Sequence, residues 1–455
     1  MTTLETSRRS GGRRPAAPRG PRNTTRGADR APAKNTTTKT AGTKTAGTKT
    51  AGTKTAKREN PALSFYLVAG SAALLLALGV VMVFSASTIN ALQNGQSPYA
   101  SILHQGMFVM IGLPVAWLAS RIKVEWYKAL AWPAFLGAVF LQLLIFTPLG
   151  LAENGNTNWI HIPGLNQSVQ PSEFLKVGLA LWLGLVLSRK GRLLKDFRHV
   201  LVPGGVGSVM ALGLVLAGHD MGTAVVLVAL VCGAYFVAGL PMRWFAAAGV
   251  LGAGAAAFLV VQSPSRMTRV MSFLGLTEAD PSGAGFQSQH GQWALGTGGV
   301  SGVGLGASRE KWSYLPEAHN DFIFAIIGEE LGLLGTLLVL ALFGSLAVGM
   351  LRVVRRHRDP FVQIATATIA SWILAQALVN IGVVVGLLPV IGVPLPLVSA
   401  GGSAMVSTLL ALGIILSFAR TEPGAAKALA TRRAVVSRSL AVVGRRSRDV
   451  PARRG

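Results

Sequence analysis

The chain has 455 residues, 51% hydrophobic and 13% charged, with a mean hydropathy of +0.48 and a formal net charge of +25. That apolar excess excludes a water-soluble domain of this length. A lone cysteine, Cys232, excludes an internal disulfide framework and a cysteine-built metal site.

The positive charge sits at the ends. Residues 1–60 hold 15 Lys/Arg against 3 acids and residues 420–455 hold 10 against 2, which leaves only +5 for the middle. Basic tails beside an apolar body fit membrane lipids of acidic type and a cytoplasmic position, and point away from nucleic acid. Residues 1–60 are of low complexity, with Lys-Thr-Ala-Gly-Thr starting at Lys39, Lys44 and Lys49, and are expected to form a disordered tail. The first apolar segment begins near Ala62 and is long enough to span, so it reads as a membrane helix and not as a cleaved leader.

Apolar runs of spanning length then recur at 63–87, 101–120, 129–150, 172–188, 200–218, 220–239, 243–262, 322–350, 361–386 and 400–419. The expected fold is an all-α polytopic integral membrane protein with ten transmembrane helices over 61–420, between a tail at 1–60 and another at 421–455. Basic residues mark every second loop: Arg121, Lys123 and Lys128; Arg189, Lys190, Arg192, Lys195 and Arg198; Arg243; and Arg352, Arg355, Arg356 and Arg358. Positive loops face the cytoplasm, which puts both termini inside. Loops 151–171, 263–320 and 387–399 then lie outside, the largest between helices 7 and 8. Arg266, Arg269, Arg309 and Lys311 on that large loop fit an anionic ligand, or pairing with Asp280, Glu310, Glu317 or headgroups.

Four segments carry ionisable or backbone-breaking residues at membrane depth. Leu315–Gly335 places Glu317, His319 and Asp321 at the mouth of an apolar run, with Glu329 and Glu330 inside it. Ionisable groups there are functional candidates, although Asn320 or Asp321 is equally suited to cap a helix. Asp321, Ala325, Gly328, Gly332 and Gly335 fall on one helical face, a stripe that lets another segment approach closely. Glu330, half a turn round, is a candidate for a structural ion pair. Gln170-Pro-Ser-Glu173 opens a helix, with Lys176 one turn deeper to snorkel or pair with Glu173. Asp220 is placed to cap the next-but-one helix. The glycine-rich stretch before Lys311 reads as an irregular loop or an anion cradle; it lacks the Gly-Lys-Ser/Thr of a nucleotide P-loop. Pro389, Pro394 and Pro396 with Gly401 and Gly402 forbid a continuous helix over 387–403, and broken backbone at that depth is expected to line a cavity.

Taken together, GVVMVFSAS (79–87), WI…QPSE…K (159–176), DMGTAVVL (220–227), RMTRVMSF (266–273), LPEAHNDFIFAIIGEELG (315–332) and NIGVVVGLLPVIGVPLPLVSAGGS (380–403) resemble, in order, the SEDS family of shape, elongation, division and sporulation proteins. Glu-Ala-His at 317–319 resembles the division branch; the elongation branch usually has Gln before the His. The resemblance implies a peptidoglycan glycosyltransferase that joins lipid II into glycan strands outside the plasma membrane at the septum. It implies Asp321 as the essential acid, either general base or ligand to a divalent cation, Mg or Mn, with no organic cofactor. Arg266, Arg269, Lys311 and Lys176 would hold pyrophosphate, with Glu173, Gln289, His319 and Ser403 completing the substrate site. It also implies a class B penicillin-binding protein as transpeptidase partner, alongside other division proteins. Two departures touch loop roles: Gly155–Trp159 stands where members often carry a GARRW-like segment, and His219 precedes Asp220 where Pro is usual. A lipid II flippase, an elongation-branch polymerase and a recruiting scaffold are the alternative readings.

Overall fold

The computed structural model describes residues 60–93, 98–153, 156–162, 167–276, 284–312, 315–316 and 318–431. The expected disordered tail, apart from Asn60, lies outside the described residues, as do Asp280, Glu317 and the chain beyond 431.

The membrane body is helical: α1 (Leu63–Gln93), α2 (Pro98–Ala119), α3 (Val124–Leu143), α4 (Pro171–Ser188), α5 (Phe197–Val200), α6 (Val206–Ala217), α7 (Met221–Val237), α8 (Met242–Val261), α9 (Pro264–Phe273), α10 (Ala284–Gly298), α11 (Ile323–Arg356), α12 (Pro360–Val384) and α13 (Gly402–Arg420). Each expected span coincides with one of these. Among the described residues, eight helical stretches are long and apolar enough to cross a membrane, and the shorter apolar helices Gln105–Ala119 and Met221–Val237 match the other two expected spans. The local reasons are ordinary helix chemistry. Pro opens the first turn of α4 and α12, Asp220 accepts from the Thr223 amide to cap α7, and Asp359 accepts from the Phe361 amide to cap α12.

The bundle pairs α3 with α4, α1 with α11, α2 with α13, and α12 with both α7 and α4. α4 is the most enclosed span; its Trp182 stacks on Phe135 at 4.3 Å and meets Trp132 edge-on at 5.3 Å. The outer faces are apolar, as at Leu333, Leu334, Leu337 and Leu338, while Glu173, Lys176, Glu329 and Glu330 are buried. Apolar outside with charge paired inside is the arrangement lipid demands. α8 buries no residue and is tied on through Phe236–Phe245 and Phe197–Trp244 ring contacts.

The two ends differ in charge. At one end Lys128 pairs with Asp359, Arg356 pairs with Glu422 at 3.3 Å, Arg420 donates to the Ser120 carbonyl, and Arg121 lies over Trp117. Burial pushes the Glu422 carboxyl up, against the hydrogen bond from Ser64 and the charge of Arg356. These contacts join the start of α1, α3 and α12 to the finish of α2, α11 and α13.

The other end holds structure that the helix count left open. Loop 151–171 folds as an antiparallel sheet of β1 (Gly150–Glu153), β2 (Asn156–Ile162) and β3 (Gln167–Val169), in that order. Its signal was the Asn-Gly at 154–155 followed by the strand-favouring Thr157, Trp159, Ile160 and Ile162. Loop 263–320 likewise contains α9 and α10, so the glycine-rich stretch is helical as far as Gly298. The proline-rich segment 387–401 is non-helical, as its prolines require.

Candidate active site

Asp321 sits in the turn 318–322, one residue before Phe322, which flanks α11 and makes no side-chain cap. Phe322 is fully buried, and a side chain at Gly291 of α10 would meet its ring at 3.0 Å. A turn has no ladder to satisfy its carbonyls, so other groups must. The Ala400 amide donates to the His319 carbonyl at 3.0 Å, Ser399 Oγ to Asn320 O at 2.6 Å, and Asn380 Nδ2 to Asp321 O at 2.7 Å. Asp321 itself is half-buried, and a Cβ built on Gly392 would lie 3.4 Å from its Oδ2.

The proline-rich segment is pinned from below. Gln376 Nε2 donates to Pro394 O at 2.9 Å, while its Oε1 accepts from Trp372 Nε1 and from Lys176 Nζ. Lys176 is 1% exposed, pairs with Glu173 at 2.8 Å and lies over the Trp372 ring; Glu173 also accepts from Ser407. Of the two behaviours open to Lys176, pairing therefore holds and snorkelling does not. Between this network and the segment lies a cavity of about 10 Å³, lined by Gln376, Pro394, Ser399 and Thr408, room for one water.

Ser403 Oγ accepts from the Gln170 amide, and Gln170 Nε2 donates to Asp220 Oδ2, which also accepts from Asn158. Arg266 reaches the same corner: its guanidinium donates to the carbonyls of His219 and Leu259. Arg269 on the next turn of α9 is exposed. Asp220, Gln170 and Ser403 are thus joined by contacts, with Arg266 bonded to the carbonyl of the adjacent His219, and a Cβ built on Gly222 of α7 would lie 3.0 Å from the Ile391 carbonyl oxygen beside Gly392. Gln289 is exposed on α10.

Lys311 lies elsewhere. Its ammonium is buried, pairs with Glu330 at 2.9 Å and is 3.3 Å from Ser85 Oγ of α1; Ser85 also donates to Glu330. Glu330 is therefore a structural ion-pair partner, and Lys311 is its counter-ion. Removing one member leaves an uncompensated buried charge, at about 3–5 kcal/mol. Lys311→Met is expected to lower the melting temperature sharply, and Lys311→Met with Glu330→Leu to recover most of it. A raised KM with unchanged melting would instead make Lys311 a substrate ligand.

The expected small-residue stripe does bring a segment close, but α11 is broken within it. Gly332 has φ 68° and ψ −162°, so Gly332 and Gly335 do not continue the face of Asp321. The backbone groups exposed by the break are taken up by the glycine-rich segment. Val303 and Gly304 amides donate to the carbonyls of Glu329 and Glu330, and Leu333 and Leu334 amides donate to those of Gly299 and Val300. Glu329 adds bonds from Ser308 Oγ and the Arg309 amide. Of the glycine amides in this segment, that of Gly304 serves α11, while those of Gly299 and Gly302 bond back to Gly296 and Gly298.

Sequence reasoning assigned no role to Gln376, Asn380, Ser399 or Gly392. The available signal was Gln376 and Asn380, polar residues four apart within the apolar α12.

Residues 65–423 match the cell cycle protein family that groups FtsW, RodA and SpoVE. The chain is 39% identical over 370 residues to a protein of Mycobacterium tuberculosis named probable peptidoglycan glycosyltransferase FtsW, covering 81% of this chain and 70% of that one. It is 36% identical over 368 residues to stage V sporulation protein E of Bacillus subtilis, covering 80% and 98%. Among solved structures it resembles a chain of a peptidoglycan synthase complex that coordinates polymerization and crosslinking, at 28% identity and a TM-score of 0.64, covering 78% and 96%. The rod shape determining protein RodA of Thermus thermophilus matches at 26% identity and a TM-score of 0.59, covering 78% and 97%. With its apolar helices and matched span, the chain belongs to the FtsW, RodA and SpoVE family of multi-pass membrane proteins.

Proposed function

We propose that this chain is a peptidoglycan glycosyltransferase that polymerises lipid II, the undecaprenyl-diphosphate-linked disaccharide-pentapeptide, into glycan strands. The observation that carries this reading is the match along most of the chain to relatives named peptidoglycan glycosyltransferase FtsW. The ten helices cross the bacterial plasma membrane with the basic end and both termini in the cytoplasm, and Asp321 faces outward. The division septum is the site of action, in line with the FtsW relatives.

The reaction joins a sugar hydroxyl to an anomeric carbon and expels a lipid diphosphate, with inversion. One base near the hydroxyl suffices, and no carboxylate nucleophile is needed. Asp321 takes that proton. Asp321 is half-buried, and exposed Gly392 lies beside its carboxylate. The leaving diphosphate develops negative charge, which fixed cations stabilise. Arg266 and Arg269 supply it; Arg266 has five N–H donors and uses them only partly on His219 and Leu259. Lys176 and Lys311 are neutralised by Glu173 and Glu330 in buried pairs and serve as structural charges. On this reading Ser403, Gln289 and His319 are assigned to the acceptor side of the substrate site.

Among the described residues no group of three or more His, Cys, Asp or Glu could hold a metal ion. A hard divalent cation is commonly held by one carboxylate and substrate phosphates, and Asp321 fits that part. Such an ion would supply positive charge at the diphosphate.

A transpeptidase partner follows from the likeness to a chain of a peptidoglycan synthase complex. We assign that role to a single-pass class B penicillin-binding protein, with other division proteins in the assembly. The test is to purify the chain with such a partner made transpeptidase-dead, add labelled lipid II and Mg or Mn, and look for glycan ladders. Ladders support the polymerase. A well-folded complex that makes none but moves lipid II between leaflets would replace it with transport.

A further inference from the structure

We infer that Asn380, with Ser399 and Gly392, forms a cradle that sets the position of Asp321 toward the acceptor hydroxyl, making Asn380 a positioning residue. The inference rests on Asp321 as the base. Three successive carbonyls, those of His319, Asn320 and Asp321, are each held by a donor from α12 or the proline-rich segment. Asn380 is the hinge of this arrangement. Its two amide protons go to two separate strands of backbone, Asp321 O at 2.7 Å and Val393 O at 2.8 Å. The turn that carries the acid is thereby bound to the segment that covers it.

Asn380 is 2% exposed, and its Oδ1 is buried with no hydrogen-bond partner among the described residues. An orphaned buried acceptor is destabilising. Both N–H groups of Asn380 are spent on backbone carbonyls, one from the turn and one from the proline-rich segment. Ser399 works the same way from the other side: its Oγ accepts from the Leu395 amide at 2.7 Å and donates to Asn320 O. Gly392 closes the cradle. Its φ of +76° is one that a side chain rarely adopts, and a Cβ there would come into contact with Asp321 Oδ2 at 3.4 Å. A general base works only when its oxygen sits within hydrogen-bond reach of the proton it takes.

The experiment measures kcat and KM for polymerisation of lipid II by the complex with its transpeptidase-dead partner, with melting temperature alongside. The variants are Asn380→Ala, Gly392→Ala, their combination and Asp321→Ala. Gly392 is exposed, so its substitution leaves the core intact and guards against an Asn380 variant that merely unfolds. Each single change is expected to lower kcat by about 10- to 100-fold, the scale of a misplacement near 1 Å, with KM moving by less than about 3-fold. The double variant should lose less than the product of the two losses, because both act through one carboxylate. Wild-type kcat in both single variants, beside an inactive Asp321→Ala, would overturn the cradle alone. So would a kcat loss confined to Asn380→Ala and matched by its melting. Full activity in Asp321→Ala would bring down the base and the cradle with it.

Discussion

Asp321→Ala is expected to abolish glycan ladders while the bundle stays folded. A positioned general base contributes about 10²- to 10⁴-fold to such a transfer, so residual polymerisation should fall below a ladder assay's reach. Stability should hardly change. The turn is held by the fully buried Phe322 and by the donors to three backbone carbonyls, which the substitution leaves in place. Asp321→Asn separates base from shape. It keeps the volume and a polar head but cannot take a proton at neutral pH, so it should be as inactive as the alanine variant. If Asp321→Asn polymerised at a substantial rate, proton abstraction by this residue would be wrong. A ligand role predicts a different signature: activity of a conservative variant such as Asp321→Glu would recover as Mg or Mn is raised.

The largest loss of stability is expected at the break in α11. Gly332 occupies a region of backbone space open in practice only to glycine, and a non-glycine residue held there costs about 1–3 kcal/mol. Space makes it worse. A Cβ at Gly332 would come within 2.4 Å of the Gly302 amide nitrogen and 2.5 Å of the Val300 carbonyl oxygen. These neighbours are backbone, so neither can swing aside. Relief means withdrawing the glycine-rich segment, which strips partners from the carbonyls of Glu329 and Glu330 and from the amides of Leu333 and Leu334. Unpaired backbone at membrane depth is heavily penalised. Gly332→Ala should therefore express poorly and melt far below the parent, and Gly302→Ala, with φ +81°, should do the same. Gly296→Ala is the control: nothing lies within 4 Å of its added Cβ, and it sits inside α10, where alanine is favoured by about 1 kcal/mol. Equal melting of Gly332→Ala and Gly296→Ala would show that the break does not need glycine.

The membrane body was legible in the amino-acid order because lipid imposes local rules. A spanning helix needs an unbroken apolar run of fixed length, and loop charge needs no partner to be counted. The Asp220 cap and the Glu173–Lys176 pair were legible for the same reason, since their partners lie three residues away. The motif at 315–332 likewise singled out Asp321. The rest was decided by contacts between distant parts of the chain. Glu330 meets Ser85 across 245 residues, and Lys176 meets Gln376 across 200. No period or spacing encodes such meetings. The break at Gly332 was hidden because Gly332 also completes a plausible helical stripe; only the arrival of the Gly299–Gly304 backbone makes its strained conformation the better one. Asn380 looked like one polar residue in an apolar helix until the turn at Asp321 and the proline-rich segment closed on it from opposite sides. Sequence alone determined that this is a multi-pass membrane protein and which acid stands out. Tertiary structure decided how that acid is held, because its carbonyl and its neighbours' find their donors 59 to 81 residues further along the chain.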